Sequence, residues 1–229
     1  PPRSTLDRSS AASDVYKRQI YEGALTNFDN ALRIEARWFT KILSEKSTKN
    51  MIRTLFINKT ALEKGLKRPS VNSKKTIFKK IGVVGAGMMG TGIAYTAALN
   101  GMNVTLIDKE IEVTKKGIND IDQILSLGLR RGKITEEQKK EVLGRITPSN
   151  SYEDLKAVNL VIEAVFEDIE IKEKVLNQIQ NNISQDTIIA SNASTLPISE
   201  LAKSVNYQDK FIGIHFFSPV HKMNLVEII

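Results

Sequence analysis

Cysteine is absent from the 229 residues and histidine occurs only twice. Without cysteine there are no disulfides, no thiolate metal sites and no cysteine nucleophile, which fits a reducing compartment. Two histidines leave no material for a multi-histidine metal centre, so no metal is expected. Long hydrophobic runs are also missing. No stretch is long enough to span a bilayer, and the N-terminus has no apolar segment of the kind a secretory signal needs. These absences fit a cytoplasmic location, with no targeting signal seen. Aromatic residues make up only 6% of the chain and do not interleave with the basic ones. The formal charge of +7 therefore does not suggest a nucleic-acid partner, because its basic residues are scattered over helix faces and one linker. A solvated surface or a small anionic ligand explains the charge as well.

The opening segment, Pro1–Gln19, shows no hydrophobic periodicity. Read as codons, "SSAASDVYKRQ" resembles the in-frame translation of a transposon-type sequencing-library adapter, and "PPRST" fits the arm before it. Residues 1–19 are thus expected to be an adapter artefact and disordered, with the native chain truncated upstream of Ile20. The segment holds Arg3, Arg8, Lys17 and Arg18 against Asp7 and Asp14, so about +5 of the charge belongs to the remainder.

What is present divides in two. From Ile20 to about Lys46, Leu32, Ile34, Ala36, Phe39 and Ile42 recur at helical spacing. A second helix is expected over "NMIRTLFINKTALEKG", stopped by Gly65. The polar "LKRPSVNSKK" reads as a linker. Residues 20–76 thus form a helical linker segment whose apolar stripe has no core of its own. From residue 77 to 229, short apolar strands alternate with helices, starting with "KKIGVV", "NVTLID" and "NLVIEAV". Continuous apolar strands are covered on both faces, so a doubly wound, mostly parallel α/β sheet of Rossmann type is expected.

"IGVVGAGMMGTG" puts Gly85, Gly87 and Gly90 in a G-x-G-x-x-G pattern between a strand and a helix. Gly85 permits the tight turn, Gly87 the approach of a pyrophosphate, and Gly90 close helix–strand packing. Ala86, Met88 and Met89 complete the cofactor-binding loop. Asp108, at the end of the second strand, would accept hydrogen bonds from an adenosine ribose and repel a 2′-phosphate, which favours NAD. Lys109 beside it tempers that preference. At the other end of the chain, His215 closes an apolar strand and Glu227 sits in an apolar run. A carboxylate there needs a partner, and Lys222, His221 and His215 are the nearby candidates. A His–Glu pair would raise the imidazole's affinity for a proton and aim one ring nitrogen at a substrate. "ASNAST" places Ser191, Asn192 and Ser194 at the carboxyl edge of the sheet, where Ser194 could equally be a helix cap.

The motifs "GAGMMGTGIA", "IEAVFEDIEIK", "SNAST" and "IGIHFFSPVHKMNLVEII" resemble, in order and spacing, the 3-hydroxyacyl-CoA dehydrogenase family over about Lys75–Ile229. The upstream "EARWFTKIL" and "KNMIRTLF" look like the connecting region of its multifunctional fatty-acid oxidation branch, in which a crotonase-type hydratase/isomerase domain comes first. The resemblance implies oxidation of a (3S)-hydroxyacyl-CoA by NAD, with His215 as base, Glu227 as its paired acid and Ser194 against substrate and nicotinamide. It places Glu167, Lys172, Ser218 and the backbones of Val165 and Phe166 on the cofactor side. For the CoA phosphates, Arg130, Arg131 and Lys133 are candidates, a solvated helix end being the alternative. Also implied are an absent crotonase-type domain, an absent C-terminal helical domain and a thiolase subunit as partner. The chain departs from the family pattern at Ser218, where single-function members usually carry Asn, and at Ala193, where many carry Thr. Two other readings stand: an NAD-binding module without turnover, and a single-function 3-hydroxybutyryl-CoA dehydrogenase.

Overall fold

The computed structural model describes residues 5–66 and 76–229. The chain divides into two units, Pro1–Lys74 and Lys75–Ile229. In the first, α1 (Thr5–Ala24) and α2 (Phe28–Ser44) pack on each other. The disorder expected for residues 1–19 is not what the described part of that segment, residues 5–19, shows, since α1 begins at Thr5. No glycine or proline interrupts Thr5–Glu22, and Ala11, Ala12, Lys17, Arg18 and Gln19 all favour a helix. The single helix expected from Ile20 to Lys46 is divided by a turn at Leu25–Asn27. There Asn27 caps α2, its side chain accepting the Asn30 N–H. Trp38 is buried on α2, donates to Glu22 Oε2 at 3.3 Å, and lies under Arg37 and Lys41. The second expected helix begins earlier than read: α3 (Lys46–Ile52) runs through a π turn at Arg53–Asn58 into α4 (Lys59–Glu63). Gly65, at φ +68°, stops it as expected. The expected linker "LKRPSVNSKK" lies, beyond Leu66, outside the described residues.

The second unit is a seven-stranded sheet flanked by helices. Its elements are β1 (Lys80–Val84), α5 (Met88–Leu99), β2 (Asn103–Ile107), α6 (Ile111–Arg130), α7 (Glu136–Gly144), β3 (Ile146–Ser149), β4 (Leu160–Glu163), α8 (Ile169–Gln180), β5 (Ile188–Ser191), α9 (Ile198–Leu201), β6 (Phe211–Phe216) and β7 (Val226–Ile228). The strand order is β3-β2-β1-β4-β5-β6-β7; the first six are parallel and β7 is antiparallel to β6. Side chains alternate across a strand, so each strand feeds two cores. Ile81 and Val83 of β1 pack with Ile93, Ala94, Ile121 and Leu125 on one face. Val84 of β1 and Val161 of β4 pack with Leu155, Leu176, Ile179 and Leu201 on the other. The order reverses between β1 and β4, which opens a crevice at the carboxyl ends of these two strands.

Candidate functional site

The loop after β1 opens this crevice. Gly85 has φ +101°, and a Cβ there would lie 2.7 Å from the Ala164 carbonyl oxygen. A Cβ on Gly90 would come within 1.7 Å of the Gly85 oxygen, so α5 can meet the loop only without a side chain. At Gly87 a Cβ would meet nothing within 4 Å: this glycine faces open space. The first helical bond runs from the Thr91 N–H to the Gly87 carbonyl. The N–H groups of Met88, Met89 and Gly90 ahead of it have no intrahelical acceptor, and they lie at the positive end of the helix dipole. A cavity of about 780 Å³ continues from Gly85, Gly87 and Met88 past Asp108 to Val165 and Phe166.

Asp108 holds the loop from below. Its Oδ2 accepts the Ala86 N–H at 2.7 Å and its Oδ1 the Lys109 N–H at 2.8 Å. The ribose contact expected of Asp108 would therefore use the remaining lone pair of an oxygen that already braces the turn. Free N–H groups, a glycine open to the cavity and an acid at the second strand end fit the pyrophosphate and ribose of NAD.

On the same edge, β5 and β6 carry the second cluster. His215 and Glu227 are directly paired across the antiparallel β6–β7 register. His215 Nδ1 lies 2.7 Å from Glu227 Oε2, which selects His215 from the three expected candidates. Ser194 Oγ is 3.2 Å from the other ring nitrogen, Nε2. Phe217 packs against the imidazole, ring centres 4.7 Å apart. Asn192, at the end of β5, accepts the Phe216 N–H at 2.8 Å and ties the two strand ends together. The imidazole is largely buried, whereas the Glu227 side chain is 50% exposed.

Glu167 reaches the Ser194 turn from the β4–α8 connection. Its Oε1 accepts the N–H groups of Ser194 at 2.7 Å, Thr195 at 2.8 Å and Leu196 at 3.3 Å. Burial pushes its carboxyl upward. The N–H groups of Thr195 and Ser194, the Lys172 ammonium and the Leu196 N–H outweigh this and hold it below the ordinary glutamate range. Lys172 is fully buried, 3.4 Å from Glu167 Oε2 and 2.8 Å from Glu163 Oε1. Lys172 therefore lies beneath the cofactor edge rather than on it. Val165 is likewise engaged internally, donating to Glu163 Oε1 and accepting from Lys172, while the Phe166 side chain is exposed at the cavity.

Other expected residues are placed less closely. Ser218 donates to Met88 Sδ at 3.9 Å beside a second cavity of about 410 Å³ that shares Gly87 and Met88 with the first. Arg130, Arg131 and Lys133 are exposed at the end of α6 and line neither cavity. Arg131 lies seven residues, roughly 10 Å, along the helix beyond Ile124, the last α6 residue at the cavity wall. The structure does not bring these three into the site. The sequence reading missed Glu163; its only signal was an acid closing an otherwise apolar strand.

A parallel sheet in this order, with its glycine loop and acid at the second strand end, defines the class: an NAD-binding domain of the nicotinamide-dependent oxidoreductases. Residues 80–229 match the family model described as 3-hydroxyacyl-CoA dehydrogenase, NAD binding domain. The chain belongs to that family. It is 39% identical over 212 residues to the fatty acid oxidation complex subunit alpha of Pseudomonas savastanoi pv. phaseolicola, covering 93% of this chain and 29% of that one. The solved (S)-3-hydroxybutyryl-CoA dehydrogenase from Ralstonia eutropha is 42% identical, with a TM-score of 0.65, over 66% of this chain and 54% of that one. A 3-hydroxybutyryl-CoA dehydrogenase from Escherichia coli K12 is 33% identical, also with a TM-score of 0.65, over 67% of this chain and 32% of that one.

Proposed function

We propose that this chain carries the NAD-binding half of a dehydrogenase that oxidises the 3-hydroxyl of a (3S)-hydroxyacyl-CoA in fatty-acid oxidation. One observation carries the reading: an imidazole held between a carboxylate on Nδ1 and a serine hydroxyl near Nε2. Glu227 accepts the Nδ1–H and so leaves the Nε2 lone pair free toward the open edge. His215 Nε2 removes the hydroxyl proton, and the Glu227 carboxylate stabilises the resulting imidazolium. Ser194 Oγ holds the substrate oxygen beside the same nitrogen. NAD, when bound, supplies the hydride acceptor. Gly87 and the N–H groups of Met88 to Gly90 hold its pyrophosphate, with Asp108 on the ribose.

The multifunctional branch is favoured over a single-function enzyme, because an alignment of 212 residues is longer than Lys75–Ile229 and so extends into the helical unit. With that branch come a complex with other subunits, a thiolase among them, and a cytoplasmic location. No described helix is long and apolar enough to cross a membrane. A second reading, NAD binding without turnover, is favoured by the half-exposed Glu227 and the wholly exposed β7, which leave the carboxylate side of the dyad open to water. NADH formation from (S)-3-hydroxybutyryl-CoA, measured beside NAD binding by calorimetry, separates the two. The dehydrogenase reading expects turnover that His215→Ala reduces by about a thousandfold or more, NAD affinity staying within about twofold. Turnover that survives His215→Ala removes the histidine from its role. Binding without any turnover establishes the module.

A further inference from the structure

The most deeply buried charges in the sheet unit belong to Glu163 and Lys172, neither of which can touch a ligand. Their placement follows from the sheet. Glu163 is the last residue of β4, paired in register with Val84 of β1 and Ser191 of β5, so its side chain enters the interior below the crevice. Its Oε1 accepts the Val165 N–H at 2.7 Å and the Lys172 ammonium at 2.8 Å; its Oε2 accepts the Ser191 hydroxyl at 2.6 Å. Burying two charges costs more than an exposed pair returns, and well-packed apolar residues would serve stability as well. The pair needs another explanation, and its second partner supplies one. Lys172 also faces Glu167 Oε2, while Glu167 Oε1 gathers the N–H groups of Ser194 and Thr195. The hydroxyl of that same Ser194 lies 3.2 Å from His215 Nε2.

We infer that Glu163 is a positioning residue for the His215 site, acting through Lys172 and Glu167 to set the Ser194 turn. Two carboxylates share one ammonium. Glu163 holds Lys172 at the shorter distance, 2.8 Å against 3.4 Å, and so leaves Glu167 free to extend toward the turn. When Glu163 loses its charge, Lys172 pairs with Glu167 alone, drawing its carboxylate inward and releasing the Ser194 and Thr195 N–H groups. The significance for catalysis rests on the dehydrogenase reading above, but the geometry does not, and it is tested in the ligand-free chain.

Amide hydrogen exchange of the whole chain provides the measurement. Asn192 is the internal control, because its N–H bonds to the backbone carbonyl of Glu163, which no side-chain change removes. In Glu163→Gln, exchange at Ser194 and Thr195 should accelerate at least tenfold while Asn192 changes less than twofold. Glu167→Gln should accelerate the same two amides. The double variant Glu163→Gln with Lys172→Met removes both buried charges together. With no ammonium left to draw Glu167 inward, it should keep the wild-type urea midpoint and regain protection at Ser194 and Thr195, a rescue that a purely structural pair would not produce. Loss of protection at both amides in the double variant as large as in Glu163→Gln overturns the inference. So does an equal loss at Asn192, which would mean general loosening of the strand end. NADH formation plays no part in either outcome, so failure of the relay and failure of the proposed reaction are told apart.

Discussion

The two units of this chain solve the problem of burying apolar surface in different ways. In Lys75–Ile229 every central strand is covered on both faces, and two cores form around it. Among the described residues of the helical unit only Trp38 is buried, while Leu55, Phe56, Ile57 and Leu62 stay exposed. A helix hairpin offers one stripe for burial, and a sheet with helices on each side offers two faces. The difference teaches where precise chemistry can be built. An ammonium and a carboxylate can be desolvated and aimed only inside the doubly covered sheet, and the relay below His215 lies there.

The chain has a single tryptophan, and it sits in the helical unit, so its emission reports that unit alone. The largest expected effect comes from Lys172→Met. It leaves the Glu163 charge buried without a partner and should cost the sheet unit about 3–5 kcal/mol in urea unfolding followed by far-UV circular dichroism. The Trp38 emission transition should stay in place, and a matching shift would show that the two units unfold together. Next comes Gly90→Ala. Its methyl would occupy the space of the Gly85 oxygen, and the displaced loop should lower NADH affinity about a hundredfold by fluorescence titration. An affinity near that of the wild type would show that the loop tolerates a side chain there. The smallest effect is with pH. Glu167 is held below its ordinary value of 4.5, so its contribution is present above that value and is lost as pH falls through the lowered one. Protection of the Ser194 and Thr195 amides should fade there while Trp38 emission is unchanged. Fading that begins above pH 4.5 would assign it to another group.

The glycine loop was legible because Gly85 and Gly90 answer local steric demands and Gly87 keeps the loop open to the cavity, and Asp108 because strand ends in this architecture meet the ligand. β3 was not read as a strand. Pro148 lies within it, and proline is tolerated there because β3 is an edge strand. The helix over Thr5–Gln19 escaped notice because its residues favour helix without forming an apolar stripe. Ser194, His215 and Glu227 were singled out by their placement in the sequence and given roles by motif resemblance, yet the meeting of His215 with Glu227 depends on a strand turning back antiparallel on β6.

The sequence by itself determined the alternation of strands and helices, the phosphate-binding turn and the family. These are matters of local sterics, period and motif, which neighbouring residues settle among themselves. Residue types alone left Glu227 with Lys222, His221 and His215 as partners; the motif resemblance implied His215, and the tertiary structure set the contact. Only the tertiary structure decided that Glu163 and Lys172 are buried as a pair. Those choices depend on groups twelve and nine residues apart being brought within 3 Å by sheet pairing and helix docking. A carboxylate's partner is fixed by distance and desolvation, and both exist only once the chain has packed.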